Sequence, residues 1–158
     1  MLFLFKICHF CLLFQLLSAN DGWWKNSKGI SIQSFEHFNS LISYSNSTLK
    51  DKHLVLNFYM EGCPWCQRFQ GAWNQAYDHI QSIEDANDPL SNVTFLIVNG
   101  EHIRELSRKY RVSGFPTILF LRAGKKGFDA VEWEEGNREY ELFISWLTEA
   151  VDKSNKLA

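Results

Sequence analysis

Two cysteines separated by two residues form the part of the sequence best suited to chemistry. The segment Cys63-Pro64-Trp65-Cys66 follows a strongly apolar stretch and opens a region with helical periodicity. At the first turn of a helix, unpaired N–H groups and the helix dipole favour a thiolate at Cys63. Proline suits the first helical position, and Cys66 returns to nearly the same side one turn later. This spacing predicts disulfide exchange, with Cys63 as nucleophile and Cys66 as resolving thiol.

Two other uses of this pair follow from the same residue types. One is a static disulfide, although so short a loop restricts the unfolded chain too little to stabilise the fold much. The other is half of a zinc site, but zinc takes about four ligands, and Cys8 and Cys11 lie near the start of the chain. The histidines show no ligand spacing. We therefore expect redox-active thiols, with the Cys63 sulfur exposed to solvent, and neither a metal nor a cofactor.

Hydrophobic periodicity predicts the elements that position the pair. Alternating and continuous apolar runs predict strands at 30–33, 53–60, 93–98, 117–121 and 128–133. Helical spacing predicts helices at 34–44, 63–82, 103–110 and 137–151. Residues 84–92 are expected to form a loop, and residues 123–127 a hairpin turn. The order βαβαβαββα predicts an α/β fold in which helices flank a central mixed sheet.

The composition fits one globular domain. The chain has 158 residues, of which 46% are hydrophobic and 22% are charged, and its formal net charge is -2. No repeat or linker divides it, so we expect residues 20–151 to form one domain and the polar tail at 152–158 to fray. Without a basic excess to grip phosphate backbones, nucleic acid is not an expected partner.

Residues 1–19 have the pattern of a secretory signal peptide. Lys6 precedes an apolar run from Ile7 to Leu17, which small residues follow. The run is shorter than the roughly 20 residues of a spanning helix, so we expect cleavage after Ala19 and no stable membrane span afterwards. An uncleaved anchor is the alternative. After cleavage, the mature domain would keep only Cys63 and Cys66, and both would lie in an oxidising compartment.

Two glycosylation triplets agree with the secretory route. They begin at Asn46 and Asn92, each followed by a threonine two residues later. The chain ends without a retrieval signal of the Lys-Asp-Glu-Leu type. We therefore expect the lumen of the endoplasmic reticulum or the extracellular space.

Five blocks of the sequence resemble the thioredoxin superfamily, and in particular single domains of protein disulfide isomerases and transmembrane thioredoxin-related proteins. They lie between about Ile30 and Ala150. The blocks are 54–60, CPWCQRFQGAW at 63–73, VNGEHIRELSRKY at 98–110, VSGFPTILFLR at 112–122 and GNREYELFISWL at 136–147. The combination of CxxC with the later Gly-Phe-Pro-Thr is strongly specific. The resemblance implies a thioredoxin-like fold and exchange of disulfides with cysteine-containing client proteins.

The resemblance also assigns roles to individual residues. Pro116 is expected to be a cis proline that faces the cysteines, and the backbone of Phe115 to pair with an extended substrate. Trp65 is expected to contact the substrate as well. Arg138 matches an arginine that favours the thiolate of the second cysteine during reoxidation. Read from the sequence alone, the same arginine is equally a solvated residue at a helix start.

Three departures from the family pattern concern the same site. Asn57 stands where the family usually has a buried Glu or Asp, and an amide cannot accept and return a proton. Gly62 replaces the usual tryptophan before the first cysteine, and Trp65 replaces the histidine of isomerases. With Glu61 close by, we expect the thiolate to be less stabilised than in a strongly oxidising isomerase, and the reduction potential to be more reducing.

Three functions remain open at this point. The leading one is a thiol-disulfide oxidoreductase of the secretory pathway that acts on protein cysteines. A glutaredoxin-like reductase coupled to glutathione is suggested by the proline after Cys63, although the signal and the blocks around Pro116 and Arg138 argue against it. The third is a chaperone or peptide-binding module that uses an exposed aromatic rim of Trp24, Trp65 and Phe115.

Overall fold

The structure is a computed structural model that describes residues 26–42, 49, 52–124, 127–134 and 136–157. Within these residues the strands are β1 (Ile30–Ile32), β2 (His53–Tyr59), β3 (Val93–Asn99), β4 (Thr117–Gly124) and β5 (Gly127–Glu132). The helices are α1 (Phe35–Ile42), α2 (Pro64–Gln81), α3 (Arg104–Lys109) and α4 (Tyr140–Leu157). This succession confirms the predicted order of elements. The signal segment, Trp24 and Asn46 lie outside the described residues.

The sheet is mixed, with its strands in the order β1-β3-β2-β4-β5. β3 runs parallel to β1 and to β2, whereas β4 runs antiparallel to both β2 and β5. β2 is therefore the central strand, with neighbours on both edges and helices on both faces. This position explains why the sequence of β2 is almost entirely apolar, because a strand covered on both faces has no solvent-facing side for polar residues.

Alternate side chains of β2 point to opposite faces of the sheet and pack into two separate hydrophobic cores. Leu54, Leu56 and Phe58 pack on one face with residues of α1 and α3. Val55 packs on the other face with Cys66, residues of α2 and residues of α4. The cysteine pair thus belongs to the core between the sheet and the two long helices, and the opposite core supports the sheet from behind.

Aromatic contacts fix α2 against the sheet and α4. The Phe69 ring lies 5.2 Å from the Phe143 ring, and the Trp73 ring lies 4.7 Å from the Phe95 ring, both edge to face. Such pairs contribute about 0.5–1.5 kcal/mol beyond their buried area. The indole N–H of Trp73 donates to the Lys28 carbonyl at 2.8 Å. The helix that begins at the cysteines is therefore held at several points along its length.

Three local expectations were wrong in detail. The expected loop at 84–92 ends in a 3-10 helix at Pro89–Asn92, which forms because the Asp88 side chain accepts from the Leu90 N–H and proline occupies the first turn. β4 extends to Gly124 because it pairs with β5 almost to the turn. α4 begins at Tyr140 rather than at Asn137. None of the described helices combines the length and apolar character needed to cross a membrane.

The expectation that the polar tail frays from Asp152 onward was also wrong. α4 continues through Leu157, and Ser154 is buried. The Asn155 side-chain oxygen lies 3.1 Å from Nε2 of His53 at the start of β2. A polar sequence thus stays helical here because one side of its last turns packs against the rest of the domain at the start of the central strand. Burial lowers the pKa of His53 below its ordinary value of 6.5, more than the hydrogen bond to Asn155 raises it.

This histidine is expected to make the protein less stable in mild acid. Below the ordinary pKa of 6.5 the unfolded chain binds a proton at His53 that the folded protein rejects, so stability falls as the pH falls. Urea unfolding at about pH 7 and about pH 5 measures the loss. His53→Gln should lose less stability over this interval than the wild type, while the control His102→Gln, at an exposed position, should behave as the wild type. Parallel profiles for wild type and H53Q would contradict the assignment.

Candidate active site

The two cysteines lie where β2 gives way to α2. Cys63 is the N-cap of α2 with extended backbone angles, and Pro64 occupies the first turn. The turn before it contains Gly62 at φ +72°, a left-handed conformation that costs a side-chain-bearing residue strain. This turn is closed by the Cys63 N–H, which donates to the Met60 carbonyl at 3.4 Å. The glycine that departs from the family pattern is therefore the residue type that this turn requires.

The Cys63 sulfur is less exposed than the sequence predicted. Cys63 has 4% of its surface exposed, Cys66 has none, and both are free thiols. The reason is that the sulfur of Cys63 contacts backbone on two sides. It donates to the Phe115 carbonyl at 3.5 Å and accepts from the Cys66 N–H at 3.2 Å. The second contact is the N-cap interaction that the position before a helix predicts.

Phe115 and Pro116 lie directly opposite Cys63. The peptide bond between them is cis, as the family resemblance implied, and Pro116 is buried. The Thr117 hydroxyl donates to the Gly114 carbonyl at 2.8 Å, which braces the loop at the start of β4. The tertiary structure thus brings the Gly-Phe-Pro-Thr segment and the CxxC segment, far apart in the chain, into hydrogen-bond contact.

Cys66 is held in its protonated form. Burial raises its pKa to about 12, and hydrogen bonding to Cys63 acts in the same direction, against a smaller opposing effect of the backbone at Met60. A raised thiol pKa means that the thiolate forms only when a base or a nearby positive charge assists. The two thiols therefore differ in environment, and the N-terminal one is better suited to attack.

Asn57 lies on the same face of β2 as Val55, the face that packs against Cys66. It pairs in register with Ile97 and Ile118, and it is fully buried. Neither polar atom of its side chain has a hydrogen-bond partner among the described residues. A buried amide without partners costs roughly 1–3 kcal/mol, so a polar group at this position opposes folding.

Arg138 is half-buried beside this face rather than solvated at a helix start. Its Nη2 donates to the Pro116 carbonyl at 3.5 Å, and its guanidinium carbon lies 4.9 Å from the centre of the Trp133 ring. Burial lowers the pKa of Arg138, while the charge of Glu132 and, once it is ionised, the Cys66 thiolate raise it. Nη1 is buried without a partner among the described residues. The arginine is therefore tied to the proline loop and is coupled electrostatically to the second cysteine.

Trp65 is the exposed aromatic residue of the site, with 57% of its surface accessible. The Arg68 guanidinium lies 4.6 Å from the centre of its ring, a cation–π contact that the sequence analysis missed. Their spacing of three along a helix was the available signal. Trp133, which supports Arg138, was also missed, because nothing in its sequence neighbourhood marks it. Asn92 ends the 3-10 helix and is half-buried, away from the cysteines.

The family model described as Thioredoxin matches residues 31–149, most of the chain. The chain belongs to the thioredoxin family. Among curated proteins it is 29% identical to protein disulfide isomerase-like 1-4 of Oryza sativa subsp. japonica over 109 residues, which are 68% of this chain and 17% of that protein. It is 26% identical to protein disulfide-isomerase A3 of Gallus gallus over 122 residues, 77% of this chain and 21% of that one. The chain thus spans about a fifth of the length of these relatives.

Solved structures of the same fold include the Trx4 domain of ERdj5, with a TM-score of 0.61 and 15% identity over 80% of this chain and 98% of that one. Human ERp44 form I matches with a TM-score of 0.59 and 20% identity over 78% of this chain and 29% of that one. At these identities the likeness concerns the fold. The thioredoxin-like α/β fold predicted from the resemblance is confirmed.

The different environments of the two thiols predict unequal alkylation. In the reduced protein, iodoacetamide at about pH 8 should alkylate Cys63. Cys66 should stay unmodified, because it is fully buried and its pKa is raised to about 12. Mass spectrometry of a time course, followed by peptide mapping, measures the two rates separately. In Cys63→Ser, Cys66 should remain unmodified under the same conditions, whereas in Cys66→Ser, Cys63 should be modified at the wild-type rate. Equal modification of both cysteines in the folded protein would contradict this description.

The unpartnered Asn57 side chain predicts a pH-dependent penalty for an acid at this position. In Asn57→Asp, burial without partners raises the pKa of the new carboxyl above its unfolded value, so stability falls as the pH rises above about 4. Asn57→Val removes the unpartnered amide and should leave the free energy of unfolding unchanged or raise it by about 1 kcal/mol. Urea unfolding between about pH 4 and about pH 8 compares both with the wild type. An N57D profile that rises with pH would show a stabilised carboxylate and contradict the assignment.

Proposed function

We propose that this domain exchanges disulfides with cysteine-containing client proteins in the secretory pathway, in the manner of a protein disulfide isomerase domain. One observation carries the proposal: the Cys63 sulfur lies 3.5 Å from the Phe115 carbonyl, next to the cis Pro116. An extended client that pairs with the backbone of Phe115 would bring its own sulfur to the attacking atom. Family membership supports thiol chemistry at this site, and the names of the relatives support the disulfide isomerase class.

In the reducing direction, the Cys63 thiolate attacks one sulfur of a client disulfide and the other client sulfur leaves as a thiolate. A mixed disulfide then joins Cys63 to the client. Cys66 attacks the Cys63 sulfur, which releases the second client sulfur, while the Cys66 proton passes to a departing client thiolate. The client gains two electrons, and the two cysteines lose two as they form a disulfide. Oxidation of a client dithiol is the same sequence in reverse.

The resolving step requires help at Cys66, because the raised pKa of this thiol opposes its ionisation. The amide of Asn57 cannot accept the proton, whereas the carboxylate that is usual at this position in the family can. Arg138 supplies positive charge, and its tie to the Pro116 carbonyl holds it beside the site. We assign to Arg138 stabilisation of the Cys66 thiolate as it forms. Weak assistance from Asn57, together with Trp65 in place of the isomerase histidine, supports a more reducing potential.

The cellular setting is part of the proposal. The apolar segment at 7–17 and the triplets at Asn46 and Asn92 support entry into the secretory pathway and glycosylation there. The structural neighbours ERdj5 and ERp44 support the lumen of the endoplasmic reticulum. Disulfide exchange of this kind uses the two cysteines alone, without a cofactor, and the electron partner is glutathione or another thiol oxidoreductase.

A second candidate function is peptide binding without redox chemistry. The exposed ring of Trp65 gives an extended chain an aromatic surface to contact, whereas Phe115, expected on the same rim, is half-buried. Replacement of both cysteines by serine separates the two functions. If client binding persists and insulin reduction is lost, docking serves the chemistry; if biological activity is unchanged, binding is the function.

Single cysteine variants test the order of attack. Cys66→Ser should accumulate a covalent mixed disulfide with a client, because Cys63 attacks and nothing releases the product. Cys63→Ser should trap no client, since Cys66 is buried and its pKa is about 12. Both variants should reduce insulin at least about a hundredfold more slowly than the wild type.

The measurement is non-reducing electrophoresis and mass spectrometry after mixing each variant with a disulfide-bonded client. Lys153→Gln, on the exposed side of α4, is a matched control for handling and folding, and it should reduce insulin as the wild type does. Trapping through Cys66 rather than Cys63 would reverse the assigned roles. Trapping by neither, with no insulin reduction by the wild type, would end the redox proposal.

A further inference from the structure

An open groove of about 580 Å³ lies beside the cysteine site, between α3 and the loop that carries Phe115. Its walls include Gly100, Arg104, Ser107, Arg108, Arg111 and Phe115. The Ser107 hydroxyl donates to the Gly100 carbonyl at 2.8 Å, which ties α3 to the end of β3 and fixes the width of the groove. The groove takes no part in the thiol chemistry described above.

Three arginines and one glutamate line the groove, so it carries an excess of positive charge in a chain whose formal net charge is -2. Arg104, Arg108 and Arg111 are all exposed along it. Among the described residues, no salt bridge joins any of these three guanidinium groups to a carboxylate. Arg104 donates through Nε to the backbone carbonyl of Glu101, the acidic residue on the rim. Arginine is always charged at physiological pH, so three positive charges share one concave surface.

Phe115 connects this groove to the reactive sulfur. Its ring packs so closely on Gly100 that a Cβ added to that glycine would lie 2.3 Å from the ring carbon Cε1. Its carbonyl accepts from the Cys63 thiol. One residue is therefore both a wall of the groove and the neighbour of the attacking atom. An extended chain advances about 3.3 Å per residue, so residues flanking a client cysteine that docks over Phe115 would reach the groove.

The backbone at Arg111 indicates that its side chain is not needed for the turn. Arg111 has φ 54°, the left-handed region in which glycine is the favoured residue after a helix. The turn is closed by backbone bonds, since the N–H of Val112 donates to the Ser107 carbonyl at 2.9 Å. Glycine at this position would keep the turn, relieve the strained conformation and remove one cation from the groove.

We propose that this groove is a specificity subsite that binds acidic side chains flanking the reactive cysteine of a client polypeptide. The inference rests on the proposed function, because it requires a client joined to Cys63. Carboxylates suit the site because they accept from guanidinium groups and relieve the repulsion among the three arginines. The subsite lies in open solvent, so its effect is expected to be moderate and to weaken as salt screens the charges.

The test compares two peptide disulfides that differ only in the residues next to the cysteines, glutamate in one and lysine in the other, on both flanks. The readout is the second-order rate constant with which each peptide oxidises the reduced full chain. We expect the glutamate peptide to react about three- to tenfold faster at low salt, since several exposed charge pairs act together. This ratio should fall toward one in about 0.5 M salt, where screening is strong.

Variants locate the effect in the groove. Arg111→Gly and Arg108→Gln should each lower the ratio between the two peptides, while Lys153→Gln, a matched loss of one positive charge on α4, should leave it unchanged. The urea midpoint of Arg111→Gly should equal or exceed that of the wild type, so that a lower ratio cannot reflect poor folding.

Different failures have different meanings. Equal rates for both peptides, or faster reaction of the lysine peptide, would overturn the subsite while leaving the redox function intact. Arg111→Gly could also slow oxidation by glutathione disulfide as much as it slows oxidation by the glutamate peptide. That result would assign the groove to the carboxylates of glutathione and overturn the client proposal. No oxidation by either peptide would overturn the proposed function and this subsite with it.

Discussion

The contact between the Cys63 sulfur and the Phe115 carbonyl is the constraint on which the rest of the site depends. It joins the N-terminus of α2 to the loop before β4, two segments that lie far apart in the chain. Each side is fixed independently. Gly62 and Pro64 set the start of the helix, whereas the cis bond and the Thr117 hydroxyl set the loop. The attacking atom is thereby placed beside backbone that an extended chain can reach.

The core beneath this contact gives the two thiols different chemistry. Cys66 packs among apolar side chains, so burial keeps it protonated, whereas Cys63 accepts a hydrogen bond from the Cys66 N–H. Arg138 is a positive charge that interacts with Cys66 once this thiol ionises. Because position 57 carries no carboxyl group, stabilisation of the Cys66 thiolate depends more on this arginine than it would beside a carboxyl neighbour.

Under the proposed function, a client would contact both an apolar and a charged surface near the Cys63 sulfur. Trp65 presents an exposed ring on α2, and the arginines of α3 line the groove behind Phe115. Aromatic surface binds extended chains with little regard to sequence, while charge selects among them.

The sequence by itself determined the type of chemistry and the order of the elements. The proline after Cys63 and the apolar run of β2 act locally, so they predicted the start of α2 and the central strand correctly. The CxxC spacing predicted Cys63 as the nucleophile, and this role stays a prediction. The tail beyond Asp152 was misjudged because its helix depends on packing against His53, a contact far away in the chain. The exposure of Cys63, the pairing of Arg138 with Pro116 and the arginine groove beside Phe115 were decided by the tertiary structure alone. Each depends on segments distant in the chain that meet only when the sheet closes, and no local pattern records such a meeting.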